Sequence, residues 1–599
     1  MPEQRPSDDA VLRPAAEASA RRRTWFERGI LASTCALVVG IYAYTARPGF
    51  LTSPSLNAAD NYYNLLVQGF HAGQLNLKEE APPGLAQLAD PYDPTANSLY
   101  PLLDLSYYKG KLYLYFGATP AVVLFWPYVA LTGHYLSQKD AAVIFCVVGF
   151  LASAGLLCAL WRRYFAKVNV AVVAVGTLAL GLATCTPFLL ARCDVYEVPI
   201  SCGYALTMLT LAAIWKVLHE SRKRSGWLAA GSLAYGLAVA ARPSLLFGAV
   251  ILLVPVALAW RERRKVCAPL LAATVPITLI GLGLMLYNAL RFDSPFEFGW
   301  RYQLAGIRQN TGYPFHLRDL WFNFRIYFLE PARWSVRFPF VHDIIVPALP
   351  AGHVGGLEHP FGVLTNMPLV WLALAVPLGW RGRSVEVRSA FCAFLVAVSA
   401  LFGIAALTLG LLAFAQGRYE MEFLPALVLL AVVGILSVER SLAPTSESGQ
   451  ADRPICRRTV RWGWGLLLSF SVAFNLLASV ERCAEAHLNL GGALFQANRV
   501  QEATKHWEQA LRLEPDFAEA HYNLGGVLFQ AGKTQEAIEH WQQALRLKPD
   551  FAEAHYNLGV ALEQAGRVQE AIGHYQQAVR LKPDFVQARN ALARLQVGQ

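Results

Sequence analysis

Twelve stretches of this chain are apolar over about the 20 residues that an α-helix needs to cross the ~30 Å hydrocarbon core of a bilayer. They centre near residues 38, 127, 150, 179, 206, 235, 252, 278, 371, 401, 429 and 471. Hydrocarbon offers no water to backbone N–H and C=O groups, so a segment that enters it must satisfy them internally. Runs apolar on every side, without the strict alternation of strands, select helices. The expected fold is therefore all-α, a polytopic transmembrane bundle of about a dozen helices. With 55% hydrophobic and 16% charged residues in 599, the chain is too apolar for an ordinary soluble enzyme.

The net charge of +10 is no sign of nucleic acid, because the cations fall in short runs between apolar stretches and no reading motif accompanies them. Arg21 to Arg23, Arg222 to Arg224, RERRK at 261–265, and Arg457, Arg458 and Arg461 mark cytoplasmic loops by the positive-inside rule. Residues 1–28 read as a basic cytoplasmic tail and 29–480 as the membrane domain, with outer loops at 48–117 and 291–360. The first apolar run, Gly29 to Ala46, lacks a small-residue cleavage site and reads as a retained signal anchor. Arg162, Arg163 and Lys167 break the pattern. With twelve full crossings they emerge outside, unless Ala118 to Leu136, interrupted by Pro127 and Gly133, is re-entrant. The loop Val438 to Arg461 reads as cytoplasmic, and Trp462 to Val480 as the last crossing. The ten cysteines are scattered without a CxxC pair and read as small core residues.

After residue 480 a period of 34 residues takes over. AEAHLNLGGALFQ, AEAHYNLGGVLFQ and AEAHYNLGVALEQ begin at Ala484, Ala518 and Ala552. Leu490, Gly491, Ala503, Trp507, Ala510 and Pro515 recur as Leu524, Gly525, Ala537, Trp541, Ala544 and Pro549. They return as Leu558, Gly559, Ala571, Tyr575, Ala578 and Pro583. This pattern resembles the tetratricopeptide repeat (TPR), in which paired helices approach at the Gly and Ala positions. The resemblance implies an α-solenoid over 481–599, with repeats at 484–517, 518–551 and 552–585 and a closing helix at 586–597. It also implies a concave groove for a protein or peptide partner. His487, His521 and His555 replace the usual early aromatic. Residues 34 apart sit on successive stacked units and do not converge on one ion, which favours packing over metal.

The first outer loop, Pro48 to Gly117, is dense in aromatics and carboxylates. Tyr63, Leu66, Val67 and Phe70 recur at helical spacing, which predicts an amphipathic helix on the bilayer surface with Asp60 at its start. The run D-x-Y-Y-x-x-L-x-x-G-F-x-x-G-x-L from Asp60, the turn ARCDVYEVP at 191–199 and QGRYEMEFLPALVLLA at 416–431 together resemble the GT-C class of glycosyltransferases. These are polytopic enzymes that take sugar from a polyprenyl-phosphate donor at the outer membrane face. Under that resemblance Asp60 is the catalytic aspartate; read alone, it also suits an N-cap. Asp194 and Glu197 supply a second carboxylate or ligands for a divalent cation, or else are partners of Arg192. Arg418 and Tyr419 are expected at lipid phosphate. Lys109, Lys111 and Arg242 are further phosphate candidates; Lys109 and Lys111 equally suit snorkelling, and Arg242, at the hydrocarbon edge, needs a partner. Asp93, in DPYDP, reads as turn chemistry, and Asp104 fits either role. The aromatic segment Arg291 to Pro360 suits an interfacial belt or sugar stacking.

The leading expectation is a GT-C-like transferase of the bacterial inner membrane, with a cytoplasmic N-terminus and extracytoplasmic repeats. Its partners are membrane lipid, a polyprenyl-phosphate sugar donor and a protein in the TPR groove, with no nucleic acid. No cofactor is specified beyond the divalent cation. Two alternatives stand beside it. One is a non-catalytic membrane-anchored TPR scaffold. The other is an O-antigen polymerase or ligase-like enzyme using Arg301, Arg308, Arg325 or His353 of the late outer loop.

Overall fold

Each of the twelve apolar centres lies in a helical segment of the computed structural model. That structure describes residues 8–47, 57–97, 100, 102, 104–220, 222–305, 308, 315–336, 338–350, 357–442 and 454–597. His353, residues 48–56 of the first loop and residues 443–453 of the loop after Val438 lie outside the described residues. The chain divides into two units. One comprises Met1–Tyr44, Ser55–Arg333 and Asp343–Leu476, and the other Thr45–Pro54, Trp334–His342 and Leu477–Gln599.

Among the described residues nine helices, not twelve, are long and apolar enough to cross a membrane. Ala121–Thr132 and Pro368–Trp380 are shorter. Arg224–Ala241 has the length, with 18 residues, but Gly, Ala and Ser dilute its hydropathy. Those small residues have a packing role, because they let two neighbouring helices approach. A Cβ on Gly231 would lie 3.1 Å from the Cβ of Ala213, and one on Gly236 3.1 Å from that of Ile280. Other helices keep apolar faces uncovered. Along Cys267–Phe292, Leu279, Leu282 and Leu286 are 63%, 56% and 61% exposed.

The all-α expectation needs one amendment. Leu105–Tyr108 and Lys111–Leu114 form an antiparallel hairpin, and Gln303–Leu304 adds a third strand, Leu105 facing Leu304 and Ser106 facing Gln303. This small sheet ties residues 105–114 to residues 303–304. Its turn has Lys109 and Gly110 at φ 49° and 77°, the positive pair that a two-residue hairpin turn requires. Arg291, at the end of its helix, donates to the carbonyl of Leu114 at 3.0 Å and so anchors the outer strand. A second pairing is parallel, Leu357–Glu358 beside Ala415–Gln416.

The helix expected to lie on the bilayer is instead part of the core. Tyr62–His71 forms with Asn61 as its N-cap, the Asn61 side chain accepting from Asn64 N at 2.9 Å. Asp60 ends the preceding 3-10 turn, Ala58–Asp60, and does not cap this helix. Tyr63, Leu66 and Val67 are buried with Leu105, Leu112 and Leu114 of the hairpin. The sheet competes with lipid for the apolar face and covers it.

The helix Pro454–Gln496, which begins in the first unit and ends in the second, runs on well beyond the expected end at Val480. Val500–Leu513, Ala518–Gln530, Thr534–Leu547, Ala552–Gln564 and Val568–Leu581 follow as antiparallel pairs, and Val586–Val597 closes the series. Asn498, Gly532 and Gly566, each 34 residues on from the last, take positive φ at the turn within each pair, the left-handed position that ends a helix. The signature residues have steric reasons. A Cβ on Gly491 would stand 2.3 Å from the Trp507 indole, one on Gly525 2.7 Å from Trp541, and one on Gly559 2.7 Å from Tyr575. Ala503, Ala510, Ala537, Ala544, Ala571 and Ala578 are fully buried.

Candidate functional site

In the first unit a cavity of about 280 Å3 opens between the ends of several apolar helices and the segments around residues 104–116, 300–303 and 414–419. Three arginines, Arg192, Arg242 and Arg418, line it together with two carboxylates, Asp104 and Glu358. Their placement follows from local structure. Arg192 ends the helix Thr186–Arg192, Arg242 caps Arg224–Ala241 just before Pro243, and Arg418 lies in the turn Gly417–Glu422. Glu358 arrives through the parallel pairing with Gln416, and Asp104 immediately precedes the hairpin.

Buried acids behind the cavity hold these guanidiniums. Glu422 lies 2.6 Å from Arg242 Nη2, the partner that an arginine at the hydrocarbon edge requires. Arg192 pairs with Asp194 at 3.4 Å and with Glu358. Arg418 Nη1 lies 2.8 Å from Glu358 and 3.7 Å from Glu197. Glu197 also accepts the Asp194 backbone N–H at 2.8 Å, just ahead of the helix Glu197–His219, whose N-cap is Tyr196. Asp194 and Glu197 thus support the arginines from behind and do not line the cavity.

Aromatic faces complete the wall. Arg418 lies 4.5 Å from the Tyr196 ring centre and Arg242 4.7 Å from that of Tyr419, within range of cation–π attraction. Tyr196 donates its hydroxyl to Asp104 Oδ2, and Gln303 Nε2 donates to Asp104 Oδ1 at 2.6 Å. Burial is the largest influence on Asp104, raising its pKa to about 6 against the opposing Gln303 hydrogen bond and the Arg418 charge. Glu420, just behind, is pushed up to about 8 by burial, although it accepts the Phe361 N–H at 3.1 Å.

Four residues of the wall carry buried polar atoms with no hydrogen-bond partner among the described residues. Trp300 Nε1 and Arg418 Nε are donors, and Gln303 Oε1 and Gln416 Oε1 are acceptors. Each such group costs about 1–3 kcal/mol if left unmet.

The structure therefore gathers Arg418, Tyr419 and Arg242 at the cavity, with Asp194 and Glu197 behind. It leaves Asp60, Lys109 and Lys111 away from it. All three are exposed; Asp60 acts electrostatically on Glu79, and Lys109 pairs with Asp293 at 2.5 Å. Asp93 accepts the Thr95 N–H at 2.8 Å, as turn chemistry requires. Asp104 was within reach of sequence reasoning, because Tyr-Lys-Gly-Lys between alternating apolar residues is a hairpin signal. Glu358 and Gln303 were not, since non-local strand pairing places them.

The tetratricopeptide repeat family matches residues 473–505 and 527–584, and a second TPR family matches 491–532. No curated protein matches the chain. Among solved structures it is similar to the first TPR of Spaghetti (RPAP3) bound to an HSP90 peptide, at 20% identity over 19% of this chain and 91% of that one, with TM-score 0.19. It is similar to the Arabidopsis OM64 TPR domain at 21% identity over 20% and 99%, with TM-score 0.20. It is also similar to MamA at 26% identity over 24% and 84%, with TM-score 0.19. The C-terminal part of the chain consists of tetratricopeptide repeats.

Proposed function

We propose that this is a membrane-embedded sugar transferase that uses a polyprenyl-phosphate-linked donor at the outer membrane face, with its repeats recruiting a protein partner. The observation that carries the reading is the cavity wall. Three arginines facing two carboxylates suit a phosphate. The polar and aromatic side chains Gln303, Gln416 and Trp300 that line it suit the hydroxyls and the ring face of a sugar. A volume of about 280 Å3 is near the lower end of small-molecule sites.

In this reading Asp104, rather than Asp60, is the general base. It takes the proton of the acceptor hydroxyl as that oxygen attacks the anomeric carbon. The bond from that carbon to the phosphate oxygen breaks, and the electron pair leaves with the lipid phosphate. Arg418 and Arg242 stabilise the departing charge. Tyr196 and Gln303 orient the carboxylate by donating to its two oxygens. Asp194, Glu197 and Glu422 keep the guanidiniums in place.

The uncovered leucines of Cys267–Phe292 support insertion in lipid, since so wide an apolar surface marks a membrane or a partner. A second reading, a membrane-anchored scaffold, is favoured by the family match falling wholly within 473–584. The experiment is transfer of labelled sugar from a panel of polyprenyl-phosphate donors by the purified chain in liposomes. Wild type and Asp60→Asn should transfer, while Asp104→Asn and Arg418→Gln should fall at least about 100-fold. No transfer by folded wild type from any donor gives the scaffold reading.

A further inference from the structure

Every repeat carries two histidines that meet across its helix pair. His487 Nδ1 lies 2.8 Å from His506 Nδ1, His521 Nδ1 lies 2.9 Å from His540 Nδ1, and His555 Nδ1 lies 2.9 Å from His574 Nδ1. Successive repeats do not converge, as the period of 34 requires, but within each repeat the second helix supplies a partner 19 residues on. All six rings are partly buried.

The second ring nitrogen sets the tautomer. His521 Nε2 lies 3.2 Å from the Pro515 carbonyl and His555 Nε2 3.1 Å from that of Pro549. A carbonyl only accepts, so Nε2 bears the proton and the neutral ring turns its Nδ1 lone pair toward the partner ring. A backbone carbonyl on the far nitrogen is how metal-ligating imidazoles are usually oriented. Burial also lowers the proton affinity of all six rings, which keeps them neutral at neutral pH.

Two nitrogens at about 2.0–2.1 Å from one tetrahedral ion stand about 3.3 Å apart. The rings of His521 and His540 are at 2.9 Å and need to part by only about 0.4 Å. Four residues before each second histidine, on the same helix face, stand Glu502, Glu536 and Glu570. Each acts electrostatically on the histidine of its repeat, and each is held by Arg499, Lys533 or Arg567.

We propose that the histidine pair of each repeat is a two-imidazole site for a borderline divalent transition metal ion of the copper, nickel and zinc class. The ion takes the place of the proton shared between the two Nδ1 atoms. In the second repeat that proton moves through water from His540 Nδ1 to its own Nε2, so both rings stay neutral. Solvent completes the coordination, and the ion links the two helices of one repeat.

The test uses the full-length chain in detergent with Cu2+ as probe, copper per chain measured by equilibrium dialysis and imidazole nitrogens by pulsed EPR. His506→Gln, His540→Gln and His574→Gln combined should bind three fewer copper ions than wild type, and His540→Gln alone one fewer, each with matching loss of the imidazole signal. Copper at His342, Glu481 and Glu514, whose ligand atoms lie within 4.8 Å of one another, is common to all these proteins and cancels. The proposal is overturned if variants of wild-type helicity bind as much copper as wild type. If the combined variant loses helicity, the three single variants decide, each expected to lose one ion.

Discussion

Burial raises the proton affinity of two acids around the cavity, Asp104 to about 6 and Glu420 to about 8, and the two have opposite consequences. A base works only when ionised, so transfer by the wild type should rise with pH through about 6 and level off above it. A rate independent of pH between 5 and 7 would remove Asp104 from the role. Glu420 bears on stability. The unfolded chain releases this proton near pH 4.5 while the fold retains it to about 8. The unfolded state therefore binds fewer protons across that window, and stability falls as pH rises through it. Glu420→Gln keeps an acceptor for the Phe361 N–H and removes the loss. Its thermal midpoint in detergent should exceed that of wild type at pH 8 and match it near pH 4.5; equal midpoints at pH 8 would contradict the buried proton. Some of this was legible in the sequence. Arg418 and Arg242 stand where Q-G-R-Y and A-A-R-P-S mark outer turns, and the edge arginine had to find an acid. Asp60 looked equally marked, yet a 3-10 turn presents it to solvent, and no local pattern records which of two aspartates in a loop faces inward.

Among elements, the hairpin 105–114 does the most to assemble the cavity, for it sets Asp104 at one end and draws Gln303 alongside through Leu304. Its turn depends on Gly110 at φ 77°. A β-branched residue there is strained by about 1–3 kcal/mol. Gly110→Val should hasten amide hydrogen exchange in 105–114 and 303–304 and lower transfer without altering exchange in the repeats. Unchanged exchange in the hairpin would show that the turn does not hold the sheet. The repeats were more legible than this sheet for a physical reason. Gly491, Gly525 and Gly559 answer the same steric demand three times, so the constraint is written as a period. The hairpin occurs once inside a loop, and its third strand comes from the far side of several helices. Even in the repeats periodicity hid something: histidines at one position were visible as a series, while their partners lie on the following helix.

At the scale of the whole molecule, the short helix Ala121–Thr132 decides the topology we propose. Its residues rise about 1.5 Å each, or about 18 Å, too little for ~30 Å of hydrocarbon. The chain then stays outside after the first outer loop, and Gln138–Tyr164, with 27 residues, crosses inward. Arg162, Arg163 and Lys167 then emerge inside and obey the positive-inside rule, whereas twelve crossings would put this cluster and every later basic run outside and the repeats inside. The other short segment stays a crossing: Pro368–Trp380 is a 3-10 helix of 13 residues, and at about 2.0 Å per residue it spans about 26 Å. Arg381 and Arg383 then fall inside, as do Arg222 to Arg224 and the run at 261–265, while an odd number of crossings carries the repeats outside. Reporter fusions after Lys167 separate eleven crossings from twelve. A fluorescent protein that folds only in the cytoplasm should light there, and an alkaline phosphatase that needs an oxidising exterior should stay inactive. The reverse result would make Ala121–Thr132 a true crossing and overturn the eleven-crossing topology.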